Sequence, residues 1–226
     1  MAKESQCRGC SGAINTYLIA YNGLQTLGWS YLFFQLISHY LFTTSESLYE
    51  EVKWTVIVFQ NAAVLEVIHA ATRIVRSNPL LTAFQVASRV IVVCGILIAT
   101  KSPRDSLGLP LALLAWSVTE IIRYSMYALS LLGQAPYFLT WLRYSTFIVL
   151  YPIGITGELL CIYAAQQEVG ENKLYTISMP NRLNFIFNYQ HVLVFLMLLY
   201  IPLFPQLYLH MFGQRKKVLN GGLKKD

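Results

Sequence analysis

Residues Trp141 to Cys161 read WLRYSTFIVLYPIGITGELLC. The segment is apolar enough to sit in a membrane, where a spanning helix needs about 20 such residues. Yet it carries Arg143 near its start, Tyr151 in its middle and Glu158 beyond. Seven helical residues turn about 700° and rise about 10.5 Å, so Tyr151 and Glu158 share one face, two turns apart. A proton donor and a carboxylate on one face of a buried helix can do acid/base chemistry. Gly154 and Gly157 lie between them and permit close approach of a neighbouring helix or of a ligand chain. Pro152 leaves a carbonyl unpaired one turn earlier and loosens the helix beside Tyr151.

The rest of the chain has the same character. Of 226 residues, 55% are apolar and 12% charged, with a mean hydropathy of +0.48. Soluble domains average about 25% charged. The composition therefore predicts an all-α, polytopic membrane protein. The net charge is +6, and much of the excess sits at one end, in Arg215, Lys216, Lys217, Lys224 and Lys225. That is a membrane-flanking tail, not a nucleic-acid surface, and no nucleic-acid partner is expected. Cys7 and Cys10 have CxxC spacing without a second pair, so no metal site is expected. Cys94 and Cys161 lie in apolar runs, as packing residues do. The first apolar run is too long for a cleavable signal, so the first helix is expected to insert the chain.

Six spans are predicted: 14–42, 52–75, 81–100, 107–132, 137–165 and 183–212. Residues 1–13 read as a flexible polar segment, 14–212 as one six-helix transmembrane catalytic domain, and 213–226 as a basic tail. An even number of spans puts both termini on one side. That side holds Lys3, Arg8, Arg73, Arg76 and the tail, against Lys53, Lys101, Arg104, Lys173 and Arg182 on the other. The positive-inside rule then places both termini in the cytosol.

Glu66, Arg89, Glu120, Arg123, Arg143 and Glu158 fall well inside predicted spans. A charge at a helix centre costs about 2.5–3.5 kcal/mol on insertion scales, so these residues are expected to pair or to line a wet cavity. Four helices contribute, which predicts a shared polar interior. Glu66, His69 and Arg73 form one stripe by spacing, and Gln85 and Arg89 share a face. Glu120 and Arg123 make an i,i+3 pair that serves packing as readily as function. Arg143, near a helix end, can snorkel. Glu158 has no basic neighbour on its own helix, so either its partner comes from another helix or it is protonated.

The segment LRYSTFIVLYPIGITGELL, with TEIIRYSMYALSLLG before it, LEVIHAATRIVRSNPLLTAFQVASR upstream and FGQRKK in the tail, resembles the very-long-chain 3-hydroxyacyl-CoA dehydratases, also called protein tyrosine phosphatase-like proteins. The resemblance spans nearly the whole chain. It implies a six-span endoplasmic reticulum enzyme that converts a (3R)-3-hydroxyacyl-CoA to a trans-2-enoyl-CoA and water, the third step of fatty-acid elongation. It implies work beside the condensing enzyme and the ketoacyl and enoyl reductases, and no cofactor. The family's catalytic tyrosine and glutamate map onto Tyr151 and Glu158. Its supporting positions match Glu66, Gln85, Arg89, Arg143 and Gly154, to which the charge pattern adds Glu120 and Arg123. Lys224 and Lys225 stand one position out of register with a dilysine retrieval signal.

The family's older name suggests a phosphatase, which needs arginine six positions after a cysteine nucleophile. Those positions hold Ala13, Thr16, Thr100 and Gln167, so none of the four cysteines qualifies. A catalytically inactive membrane scaffold that binds phosphotyrosine proteins is the alternative. A small transporter using the polar interior is a further one, disfavoured by the lack of internal repeats.

Overall fold

A computed structural model describes residues 2–42, 46–75, 77–179 and 185–222. Arg76, Arg182, Lys224 and Lys225, used above for orientation and retrieval, lie outside the described residues. So do the side chains of Cys7, Cys10 and Lys217.

The elements are helical throughout: α1 (Ala2–Leu41), α2 (Leu48–Ala62), α3 (Val64–Ala71), α4 (Pro79–Val90), a π-helical segment (Ile91–Leu97), a 3₁₀ turn (Ser102–Asp105), α5 (Gly108–Leu131), α6 (Tyr137–Arg143), α7 (Phe147–Asn172) and α8 (Tyr189–Gly222). Extended pairing among the described residues is confined to a single bridge, Ile177 with Phe187. Among the described residues, four helical segments are long and apolar enough to cross a membrane: Leu48–Ala71, Pro79–Leu97, Phe147–Asn172 and Tyr189–Lys216. Their outward faces suit lipid. On α8, Phe195, Leu198, Ile201 and Leu209 are all exposed. α1 and α5 are not among the four. α5 carries Glu120 and Arg123, and α1 is diluted by tyrosine, asparagine and glutamine.

α5 is the centre of the bundle. It packs against α1 on one side and α7 on the other. Trp29, Leu32, Val92, Ile96, Leu109, Leu113, Trp116 and Ile162 form the buried core around it. The α5–α7 seam is made by small residues. A Cβ placed on Gly157 would meet the backbone nitrogen of Ala112 and come within 2.8 Å of the Gly108 carbonyl. The glycines thus serve a helix–helix contact, the first of the two uses the sequence allows. Gly157→Ala should therefore destabilise the protein by about 1–3 kcal/mol, since rigid backbone has to move. A thermal melt in detergent equal to that of the unsubstituted protein contradicts so close a seam.

Several helices differ from their predicted bounds, for reasons that lie in neighbouring elements. α1 starts at Ala2, where a flexible segment was expected; no proline interrupts residues 2–13. The second predicted helix breaks at Ala63. Gln25 Nε2 donates to the Phe59 carbonyl at 3.3 Å, and Tyr21 Oη to the Ala62 carbonyl at 3.2 Å. Side chains from α1 thus enter the ladder of the last α2 turn and bend the chain there. Arg73 falls beyond the end of α3 with φ of 59°, so the stripe Glu66–His69–Arg73 does not form one unit.

The fifth predicted helix is also broken. Residues 144–146 separate α6 from α7, and the Thr146 hydroxyl donates to the Leu142 carbonyl at 2.8 Å. Such back-bonding bends a helix. Arg143 therefore ends α6 and does not stand on one continuous helix with Tyr151. α7 runs past the predicted end at Ala165 to Asn172, capped by Lys173 in the left-handed conformation. α8 continues past Pro202 and Pro205 as one helix. α4 starts at Pro79, two residues before its predicted bound: Asn78 Oδ1 accepts from the backbone of Leu80 at 3.0 Å and Leu81 at 3.4 Å, with Pro79 as first residue.

Candidate active site

Glu158 is buried on α7 at 8% exposure, and each of its oxygens has a donor from a different helix. Trp116 Nε1 of α5 donates to Oε1 at 2.8 Å. Tyr200 Oη of α8 donates to Oε2 at 2.6 Å. The partners do come from other helices, but they are neutral. Among the described residues no arginine or lysine forms an ion pair with Glu158. The carboxylate is thereby oriented while each oxygen keeps a lone pair for a further proton.

Tyr151, two turns earlier on α7, is half-buried. Its ring stacks on Phe204, with centroids 5.5 Å apart and planes at 11°, and on Tyr208 at 5.8 Å and 4°. Phe147 meets Tyr208 and Phe212 edge-on. Tyr200, Phe204, Tyr208 and Phe212 are spaced by four on α8, so one aromatic stripe runs along the face that bears Tyr151 and Glu158. The sequence reading missed this stripe, although its i,i+4 spacing was visible.

The other interior charges form one ladder across α3, α4 and α5. Arg89 Nη1 donates to Glu120 Oε1. Glu120 Oε2 lies 2.6 Å from Arg123 Nη2. Arg123 grips Glu66 with both terminal nitrogens, at 3.0 and 2.9 Å, and Tyr124 donates its hydroxyl to the same carboxylate. Arg89 also lies over the Trp116 ring, 5.7 Å from its centroid, and so joins the ladder to the group that holds Glu158. The structure thus brings together Glu66, Arg89, Glu120 and Arg123, with Glu158 attached through Trp116.

The remaining predicted residues sit apart. Gln85 is exposed on α4, one turn before Arg89. Arg143 lies against Tyr127, donating to its hydroxyl at 2.7 Å with the guanidinium 4.5 Å from the ring centroid. Its Nη1 is buried without a protein hydrogen-bond partner. Gly154 faces Ala115 of α5, where a Cβ would come within 3.2 Å of the Ala115 Cβ. His69 pairs with Tyr17 Oη at 2.9 Å. Among the described residues, no group of His, Cys, Asp and Glu is arranged to hold a metal ion.

A buried carboxylate and a half-buried phenol two turns apart on α7, backed by an ion-pair ladder, form an arrangement that can do acid/base chemistry. Residues 60–221, which include all of these groups, match the family described as protein tyrosine phosphatase-like protein, PTPLA. The chain belongs to the PTPLA family. Similar proteins include the very-long-chain (3R)-3-hydroxyacyl-CoA dehydratase hpo-8 of Caenorhabditis elegans, 53% identical over 94% of this chain and 99% of that one. The very-long-chain (3R)-3-hydroxyacyl-CoA dehydratase 2 of Homo sapiens is 46% identical over 90% of this chain and 81% of its own length. The dehydratase PASTICCINO 2 of Arabidopsis thaliana is 37% identical over 90% and 93%. No solved structure matches the chain.

Tyr200 and Trp116 are the groups that hold the Glu158 carboxylate in place in this PTPLA member. Tyr200→Phe removes one hydrogen bond to it, a contact worth about 1.5–3 kcal/mol when one partner is charged. Turnover of an acyl-CoA substrate should fall about 10- to 100-fold in consequence. A steady-state assay that finds turnover unchanged would show that Tyr200 does not hold a working carboxylate.

Proposed function

We propose that this chain dehydrates a (3R)-3-hydroxyacyl-CoA to the trans-2-enoyl-CoA and water, the third step of very-long-chain fatty-acid elongation. The names of relatives 37% to 53% identical to it support the reaction class. The observation that carries the residue assignment is the Glu158 carboxylate, buried between two neutral donors on the face that bears Tyr151.

Glu158 removes the proton at C2, which the thioester acidifies. The C2–H electron pair forms the C2–C3 double bond as the C3–O bond breaks. Tyr151 gives its proton to the departing hydroxyl, which leaves as water. The proton on Glu158 then returns to the tyrosinate. The step is redox-neutral and needs no cofactor. Arg143 is assigned to the CoA phosphates, while the acyl chain lies along apolar helix faces. Glu66, Arg89, Glu120 and Arg123 hold α3, α4 and α5 in register behind the pair. Gly154 lets α5 approach closely enough for Trp116 to reach Glu158, and the exposed Gln85 is assigned to substrate contact outside the ladder.

The enzyme crosses the endoplasmic reticulum membrane six times, with both termini in the cytosol. α1, α2–α3, α4 with its π-helical segment, α5, α6–α7 and α8 are the spans. The contacts favour this path: Tyr17 meets His69 near the start of α1, and Gln35 reaches Glu51 near its end, so α1 runs antiparallel to α2–α3. Glu158 and Tyr151 meet Tyr200 and Tyr208 in reverse order, so α7 and α8 are antiparallel. The condensing enzyme and the two reductases of elongation are its expected neighbours.

The test is to incubate the purified, reconstituted protein with a (3R)-3-hydroxyacyl-CoA. The enoyl-CoA should accumulate, lighter than substrate by one water. Absence of that product from folded protein refutes the reading.

A further inference from the structure

Pro152 stands immediately after Tyr151 inside α7 and has no N–H to donate. The carbonyl four residues earlier belongs to Ile148, and it loses its helical partner. A carbonyl left unpaired in a membrane helix needs another donor. The structure supplies one: Tyr208 Oη of α8 donates to the Ile148 carbonyl at 3.0 Å. The ring of the same tyrosine lies parallel to the Tyr151 ring, at 5.8 Å and 4°. One side chain therefore mends the proline gap and forms a wall of the slot that holds the Tyr151 ring. Phe204 gives the other parallel contact to that ring but has no hydroxyl to donate.

We propose that Tyr208 is a positioning residue for Tyr151, acting through the backbone carbonyl that Pro152 frees. This rests on Tyr151 being the proton donor in the elimination. The turn Ile148–Pro152 lacks one of its own hydrogen bonds, so its pitch, and the height of the Tyr151 hydroxyl, are set by α8. Loss of the Tyr208 hydroxyl lets that turn relax while the ring stack stays. The phenol then spends less time within reach of the departing hydroxyl, and kcat falls. Binding of the CoA portion is left alone, so KM stays.

The geometry makes a specific double-variant prediction. Alanine at position 152 restores an N–H that bonds the Ile148 carbonyl within α7, and the Tyr208 hydroxyl becomes dispensable. The test measures kcat and KM for a long-chain saturated (3R)-3-hydroxyacyl-CoA with the full chain reconstituted in lipid. Tyr208→Phe should lower kcat about 10- to 100-fold with KM within about 2-fold, as a misplaced catalytic group does. In the Pro152→Ala background the same substitution should change kcat by less than about 2-fold. A Tyr208→Phe protein with kcat at the wild-type level overturns the proposal, and so does an undiminished loss in the Pro152→Ala background. Should Tyr208→Phe fail to fold, the double variant still decides, because the proposal requires it to fold and turn over as Pro152→Ala does. Tyr151→Phe is measured beside them. If it is inactive while Tyr208→Phe is normal, only the positioning role fails. If Tyr151→Phe turns over normally, the proton-donor assignment fails with it.

Discussion

Glu158→Gln is expected to leave a folded protein that turns over a (3R)-3-hydroxyacyl-CoA about 10²- to 10⁴-fold more slowly, the contribution usual for a positioned acid or base. Glutamine keeps the size of the side chain, and its oxygen can still accept from Trp116 or from Tyr200. It cannot take a proton from C2. Since both partners of Glu158 are neutral donors, the substitution strands no buried cation. Structural loss should therefore be small and catalytic loss large. Thermal melting and turnover, measured on the same preparation, separate the two. Turnover near wild type would remove Glu158 from the chemistry, whereas a collapsed melting transition would give it a structural role.

The second large effect concerns stability. Among the described residues, Arg123 is the only cation paired with Glu66, and one of two paired with Glu120. The Glu120 side chain is 3% exposed and that of Arg123 22%. Arg123→Met leaves Glu66 with the Tyr124 hydroxyl alone and halves the counter-charge on Glu120. Removing one partner from a buried ion pair costs about 3–5 kcal/mol, or roughly 6–20 °C in melting temperature for a chain of this size. Lysine should rescue little, because it cannot present two parallel N–H groups to Glu66. A melting temperature within about 2 °C of wild type would mean that the ladder is solvated and of little weight.

Much of this arrangement was legible in the sequence because charge in a membrane is costly. Glu66, Arg89, Glu120, Arg123 and Glu158 stood out against apolar runs, and the structure joins them across several helices. The bounds of α5 agree within one residue at each end, 107–132 against Gly108–Leu131, because Pro103 and Gly133 frame a long periodic run. What stayed hidden depends on neighbours. The break at Ala63 is made by Gln25 and Tyr21 of α1, which nothing within the second helix announces. The break after Arg143 separates that residue from the helix of Tyr151, although the sequence reads 137–165 as one span.

The partners of Glu158 were hidden for another reason. A charge seeks a visible countercharge, but Trp116 and Tyr200 are aromatic residues in a chain with 15 tyrosines and 4 tryptophans. Their polar tips carry no mark in the sequence. Only the four-residue spacing of Tyr200, Phe204, Tyr208 and Phe212 could have shown that α8 turns an aromatic face inward. Gln85 differs from these charges: it stands one turn before Arg89 in the middle of α4, exposed and outside the ladder.

The pair on α7 acts as a unit in the proposed elimination, one group taking the proton at C2 while the other protonates the leaving oxygen. The most direct measurement is kcat for Tyr151→Phe, Glu158→Gln and the double variant, side by side in lipid on one (3R)-3-hydroxyacyl-CoA. Groups that work as a unit lose nearly everything at the first substitution, so the double variant should be about as slow as the slower single one. Wild-type turnover by either single variant, or losses that multiply in the double, would contradict a shared elimination by Tyr151 and Glu158.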